Sequence, residues 1–254
     1  MYLLAAKSLF RFAPPRRIVA LNDGSLGKED CELISSHLPN CEFVSIATID
    51  AAPFPRRGCW ERLKLVTECS DTDYVVQLDS DTITLAQPSA LMGLIQSNTC
   101  FTQGTPDGLE IVSMAEHCAR LKQVATSEAH VQVAAEASFP RLQRFLEHKY
   151  VRGCAGFSGF GHKSVDGNLM QALNAELMTL LGKEKWSEWG SEQVMSNLLI
   201  ANSLDARVLP YPEYGTFHPN KNIAESTFLH FMGPDRFAKN AYGELGRRII
   251  DELS

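Results

Sequence analysis

The chain has 254 residues, 44% of them hydrophobic and 21% charged, with a formal net charge of −6. That is ordinary globular composition, and it excludes disordered, collagenous and coiled-coil classes. The densest basic spots are the pairs Arg16-Arg17, Arg56-Arg57 and Arg247-Arg248, which argues against nucleic-acid binding, because phosphate neutralisation needs clustered Lys and Arg.

Residues 2–12 predict an amphipathic helix stopped by Pro14-Pro15, since proline lacks the N–H that a helix interior needs. Residues 17–21 (RIVAL) predict a strand with Asn22-Asp23-Gly24 as its turn, and 28–38 a helix that ends before Pro39-Asn40. A second strand is expected at 42–46. After the Pro-rich loop APFPRRG, residues 60–69 predict a helix that leads into the most strand-like run, 74–78. Then comes Asp79-Ser80-Asp81.

Residues 88–96 predict a helix with Pro in its first turn, and 99–102 a strand. The stretch 110–148 is rich in Ala, Glu, Gln and Lys, is interrupted by Pro140, and reads as a helical excursion: a lid or an acceptor-binding insertion. Beyond it YVRGCAGFSGFG is a Gly-broken strand. Helices at 164–181 and 191–201, strands at 206–209 and 227–231, and a helix at 236–253 complete the series. Strands alternating with helices predict an α/β chain with a largely parallel sheet. With no composition shift to mark a linker, residues 1–254 read as one domain carrying a helical insertion at about 104–148.

No apolar run approaches the roughly 18 residues of a membrane span, and MYLLAAKSLF has no basic leader, so it fails as a signal peptide. The seven cysteines form no C-x-x-C pair and read as reduced packing residues. The expected location is cytoplasmic.

The sharpest local feature is YVVQLDSDTITL. Along a strand, side chains at i and i+2 face the same way, so Asp79 and Asp81 are expected to project together from a buried strand's end. Two close carboxylates repel unless a cation sits between them. A hard divalent ion, Mn²⁺ or Mg²⁺, meets that need with carboxylates, phosphate oxygens and water. Ligands of open α/β sheets bind at the carboxyl ends of strands. The structural alternative is a polar turn that caps the next helix. A chemical alternative is a haloacid-dehalogenase-like phosphatase with Asp79 as nucleophile; against it, Ile83 stands where that motif has Thr or Val, and two candidate strands precede the motif.

Other segments give D-x-D company. LAAKSL with RIVALNDGSL, WERLKL, YVVQLDSD, CAGFSGF, GSEQVMSN and HFMGPDR occur in this order. In that order the chain resembles nucleotide-sugar glycosyltransferases of the GT-A fold, most closely glycosyltransferase family 8. The resemblance spans most of the chain but not residues 104–148. It implies a single GT-A domain with a mixed, mostly parallel central sheet flanked by helices.

The same resemblance implies that Asp79, Asp81 and His230 hold the metal. Gly233 would let backbone approach the donor's β-phosphate, and Arg236, where the family has Lys, would grip the diphosphate. Arg62, Asn22, Asp23, Ser80 and Gly156 would line the donor site. Gln193 and Glu192 would stand beside the anomeric carbon. Cys154 replaces the family's Asn and Val194 its second acid. The implied reaction transfers a hexose from a nucleotide-diphosphate sugar, a UDP-sugar by family analogy, to a carbohydrate or other hydroxyl acceptor with retention. Those two replacements leave a third reading, a non-catalytic nucleotide-sugar-binding protein. One departure concerns the family's first strand: residues 1–3 already read as the helix that follows it, so either the native chain is longer than this one or a different segment fills that strand's place in the sheet.

Overall fold

The computed structural model describes residues 1–120 and 128–253. These group into two compact units interleaved along the chain. Unit 1 draws on Met1–Ile49, Gln77–Gly93 and Leu209–Ser254, and unit 2 on Asp50–Val76 and Leu94–Val208.

Unit 1 opens with the helix Tyr2–Phe10, whose inward face is Ala5, Ala6, Ser8 and Leu9. The strands Ile18–Asn22 and Cys41–Ser45 pair in parallel, from Ile18 opposite Cys41 to Asn22 opposite Ser45. The helix Lys28–His37 connects them and buries Ile34 against Ala6 and Leu38. A second sheet has the order Tyr214–Thr216, Phe228–His230, Thr82–Thr84, with the first pair parallel and the second antiparallel. Fully buried Ser8 ties the helix to this sheet by accepting the Thr84 N–H on its Oγ at 3.0 Å, which leaves no orphan donor there. Beneath lie Ile83, Phe217, Leu229, Phe231 and Ile249.

Two of these strands, Thr82–Thr84 and Tyr214–Thr216, are not foreseen by periodicity, because three residues are too few to show an alternation. The expected helix at 236–253 is shorter than predicted. It runs from Ala241 to Leu253 and follows a 3₁₀ segment, Gly233–Asn240. The break falls at Lys239, whose φ of 54° cannot continue a right-handed helix.

Unit 2 is built on a sheet in the order Val75–Leu78, Cys154–Phe160, Phe101–Gln103, Arg207–Val208. Val75 and Val76 belong to this unit, and the chain passes to unit 1 at Gln77. Phe101–Gln103 runs antiparallel to Cys154–Phe160 and parallel to Arg207–Val208. The core includes Trp60, Leu63, Phe139, Tyr150, Leu173, Trp186 and Leu198. Each buried indole has a partner: Trp60 Nε1 donates to Ser191 Oγ at 2.8 Å and Trp186 Nε1 to Asn174 Oδ1 at 2.9 Å. The helix Ser191–Asn202 is buried on nearly every side, which is why it shows little amphipathic pattern.

The expected excursion at 104–148 contains the helices Met114–Arg120 and Val131–Ser138. It is closed by an antiparallel pair, Val112–Ser113 with Lys149–Tyr150. Residues 121–127, which the same expectation covers, lie outside the described residues. The expectation of one mostly parallel central sheet is replaced by several smaller sheets that mix both directions. Among the described residues, no helix is long and apolar enough to cross a membrane.

Candidate metal centre

The site in unit 1 begins at the end of the strand Val75–Leu78. The chain turns at Ser80 and Asp81 and re-enters a sheet as Thr82–Thr84. Thr82 closes the turn, its Oγ1 donating to the Asp79 carbonyl at 2.8 Å. Both aspartates lie outside the strands, Asp79 just past one and Asp81 in the turn, so the turn and not strand alternation places them. Antiparallel register then sets His230 opposite Thr82, and the Phe231 N–H donates to the Asp81 carbonyl at 2.8 Å. In this way the ladder brings a histidine 149 residues downstream of Asp81 to the turn.

His230 Nε2 lies 3.0 Å from Asp81 Oδ1 and 3.8 Å from Asp79 Oδ2. One ligand atom from each of the three residues fits within a mutual distance of 4.8 Å. His230 is buried at 3% exposure, while Asp79 is 29% exposed. Carboxylates suit hard divalent cations, and an imidazole adds one nitrogen donor to the set. The donor set therefore fits a divalent cation.

Arg236 completes the cluster, its Nη2 donating to Asp81 Oδ2 at 2.6 Å and its Nε to the Phe231 carbonyl at 2.9 Å. Burial pushes the Asp81 carboxyl up, but the hydrogen bond and charge of His230 and the Arg236 guanidinium outweigh it and hold it below the usual carboxylate range. Tyr242, to which nothing in the sequence draws attention, sets its ring edge-on to Phe231 at 5.2 Å. Its buried hydroxyl has no hydrogen-bond partner among the described residues. Burial pushes that hydroxyl up to about 12, with the Asp81 charge adding to the shift.

Other residues of unit 1 singled out by the resemblance have local structural work. Asn22 Oδ1 accepts the N–H groups of Gly24 and Leu26, so its side chain shapes the turn after the first strand. Exposed Asp23 accepts the Ser25 N–H at 3.0 Å. Ser80 is exposed at the turn. Gly233 has a φ of 65° with open space where a Cβ would stand; conformation, not crowding, asks for glycine there.

In unit 2, Arg62 Nη2 lies 3.4 Å from Glu192 Oε2, and Glu192 is 3% exposed. Gln193 is held at both ends of its amide. Its Oε1 accepts the Ala155 N–H at 3.1 Å and its Nε2 donates to Gln132 Oε1 at 3.2 Å. The chain of bonds continues from Gln132 Nε2 to the Tyr150 hydroxyl, and from that hydroxyl to Glu136 Oε1 at 2.9 Å. Arg152 Nε stands 3.3 Å from the same oxygen. A cleft of about 550 Å³ lies over this group, lined by His117, Glu136 and Arg152 among others. Glu136 and Tyr150 belong to no motif, and no pattern along the chain marks them. Gly156 is buried where the pairing jumps from Thr102–Ser158 to Gln103–Cys154, so it sits in a strand irregularity.

No protein-family model and no curated protein matches the chain. Among solved structures it is similar to the apo structure of the bifunctional glycosyltransferase WbbM, at 15% sequence identity and a TM-score of 0.48. That match covers 97% of this chain and 49% of the other, so the chain spans about half of that neighbour's length.

Proposed function

We propose that this chain is a metal-dependent glycosyltransferase of GT-A type, related to family 8. It transfers a hexose from a nucleotide-diphosphate sugar, a UDP-sugar, to a carbohydrate or other hydroxyl acceptor with retention. The observation that carries the reading is the convergence of Asp79, Asp81 and His230 within 4.8 Å, from sequence positions that only the family resemblance links. The ordered motifs of the sequence support it.

Such a transfer needs neutralisation of the diphosphate leaving group more than a strong base. A divalent cation bound at this centre would supply that charge as a Lewis acid. Asp79 and Asp81 would hold it from the turn and His230 from the sheet. Arg236 would offer the diphosphate a planar fork of donors. Gln193, Glu192, Arg62 and Gly156 are assigned to donor and transfer by the resemblance alone. The rigid amide of Gln193 suits a positioning role, because both of its ends are already bonded within its unit.

The test is Mn²⁺-dependent hydrolysis of, or transfer from, UDP-hexose by the wild type and by Asp81→Ala. Wild-type activity that needs Mn²⁺ and is lost in the variant is expected. Turnover without metal, or an undiminished variant, overturns the metal mechanism. Phosphate release from a simple phosphoester that depends on Asp79 identifies a phosphatase instead, and UDP-sugar binding without product identifies a non-catalytic binder.

A further inference from the structure

Both oxygens of the Asp81 carboxylate are engaged, Oδ1 by His230 at 3.0 Å and Oδ2 by Arg236 at 2.6 Å. A divalent cation held by Asp79, Asp81 and His230 therefore meets a positive charge already seated on one of its ligands. Like charges this close repel strongly where solvent is partly excluded. The Arg236 side chain is 37% exposed, so its guanidinium reaches solvent without leaving the fold. A diphosphate presents it with more negative charge than one carboxylate and with oxygens spaced for its planar fork. The guanidinium thus has two anionic partners, one permanent and one brought by the ligand.

We infer that Arg236 is a displaceable counter-ion of Asp81, which opposes the divalent cation arriving alone and transfers to the diphosphate when nucleotide and cation arrive together. The centre then takes the two as a pair, and by linkage each tightens the other by the same factor. This rests on the metal-and-nucleotide reading of the same centre. The neighbouring cation, Lys239, has no such role. Its Nζ donates to the Pro219 carbonyl at 2.6 Å and lies 3.4 Å from Asn220 Oδ1.

Calorimetric titration of Mn²⁺ into the whole protein, with and without saturating UDP, tests this on wild type, Arg236→Gln, Arg236→Lys and Lys239→Gln. Arg236→Gln is expected to bind Mn²⁺ alone about tenfold more tightly than wild type, and to show a coupling between Mn²⁺ and UDP reduced by about the same factor. Arg236→Lys, which keeps the charge, should stay within about threefold of wild type, and Lys239→Gln should not change. Unaltered or weaker Mn²⁺ binding by Arg236→Gln overturns the inference. So does an equal gain in Lys239→Gln, because overall charge then explains the effect. If wild type and Arg236→Gln both fail to bind Mn²⁺, the underlying reading of the centre falls and this inference falls with it. Binding of Mn²⁺ and UDP without the predicted difference leaves that reading standing and removes only the role of Arg236.

Discussion

Unit 1 and unit 2 each hold a group of polar side chains inside a hydrophobic frame, but the two groups are balanced differently. In unit 2 the Glu136 carboxylate, 1% exposed, is answered by the Tyr150 hydroxyl at 2.9 Å and Arg152 Nε at 3.3 Å. From there the bonds run through Gln132 and Gln193 to a backbone N–H. In unit 1 two carboxylates share one imidazole, and one of them is partly exposed. A single carboxylate answered by a guanidinium and a hydroxyl is already balanced. One crowded by a second carboxylate still gains from an added cation.

The contrast is broken most directly at Glu136. Its replacement by Ala strands the buried Tyr150 hydroxyl and leaves the partly exposed Arg152 guanidinium without this partner, and should cost about 2–3 kcal/mol in urea unfolding. A loss under about 1 kcal/mol removes the claim that this group is structural. Asp79→Ala should behave in the opposite way. It removes a like-charge contact together with the 3.8 Å approach to His230, so the unfolding free energy should stay within about 0.5 kcal/mol of wild type. Mn²⁺ affinity measured with UDP present should meanwhile fall more than roughly 100-fold, beyond the loss seen for outer-shell partners. Equal damage to stability and binding would erase the difference between the units.

Tyr242 sharpens the comparison through pH. Its folded-state value of about 12 lies above the ordinary 10.0, so the folded state holds this proton more tightly than the unfolded state does. Ionising the hydroxyl therefore disfavours the folded state: the group brings no penalty below pH 10, and stability falls as pH rises from 10 toward about 12. Tyr242→Phe should leave stability near neutrality unchanged or slightly raised, because the hydroxyl it removes has no partner, and should soften the loss above pH 10. Thermal melts across that range decide it: identical alkaline slopes count against the assignment.

The smallest effect is expected at Asp166. Its side chain accepts the N–H groups of Asn168 and Leu169 and caps the helix Gly167–Leu181. Asp166→Ala should cost about 1 kcal/mol, with no change in Mn²⁺ binding. An altered metal affinity would mean that the centre of unit 1 depends on a structural cap in unit 2.

Most long elements are legible in the sequence. Proline and turn residues mark the ends of the helices Tyr2–Phe10 and Lys28–His37, and β-branched runs mark the strands Ile18–Asn22 and Val75–Leu78. The short strands Thr82–Thr84 and Tyr214–Thr216 are not legible, because a three-residue strand exists only through its partners. The candidate centre divides in the same way. D-x-D announces itself as a dense local signal, whereas nothing near Glu136 or Tyr242 distinguishes either from a surface acid or a packing aromatic.

By itself the sequence determined an acidic α/β chain without a basic surface, the position of a paired-aspartate turn, and a short C-terminal run holding His230 and Arg236. Those are properties of neighbours along the chain, where propensity and spacing act. Only the tertiary structure decided that His230 stands opposite Thr82, that Arg236 is seated on Asp81, and that Gln193 is bonded at both ends. Each of these depends on strand register or on a contact between distant segments, and neither is a quantity that local sequence encodes.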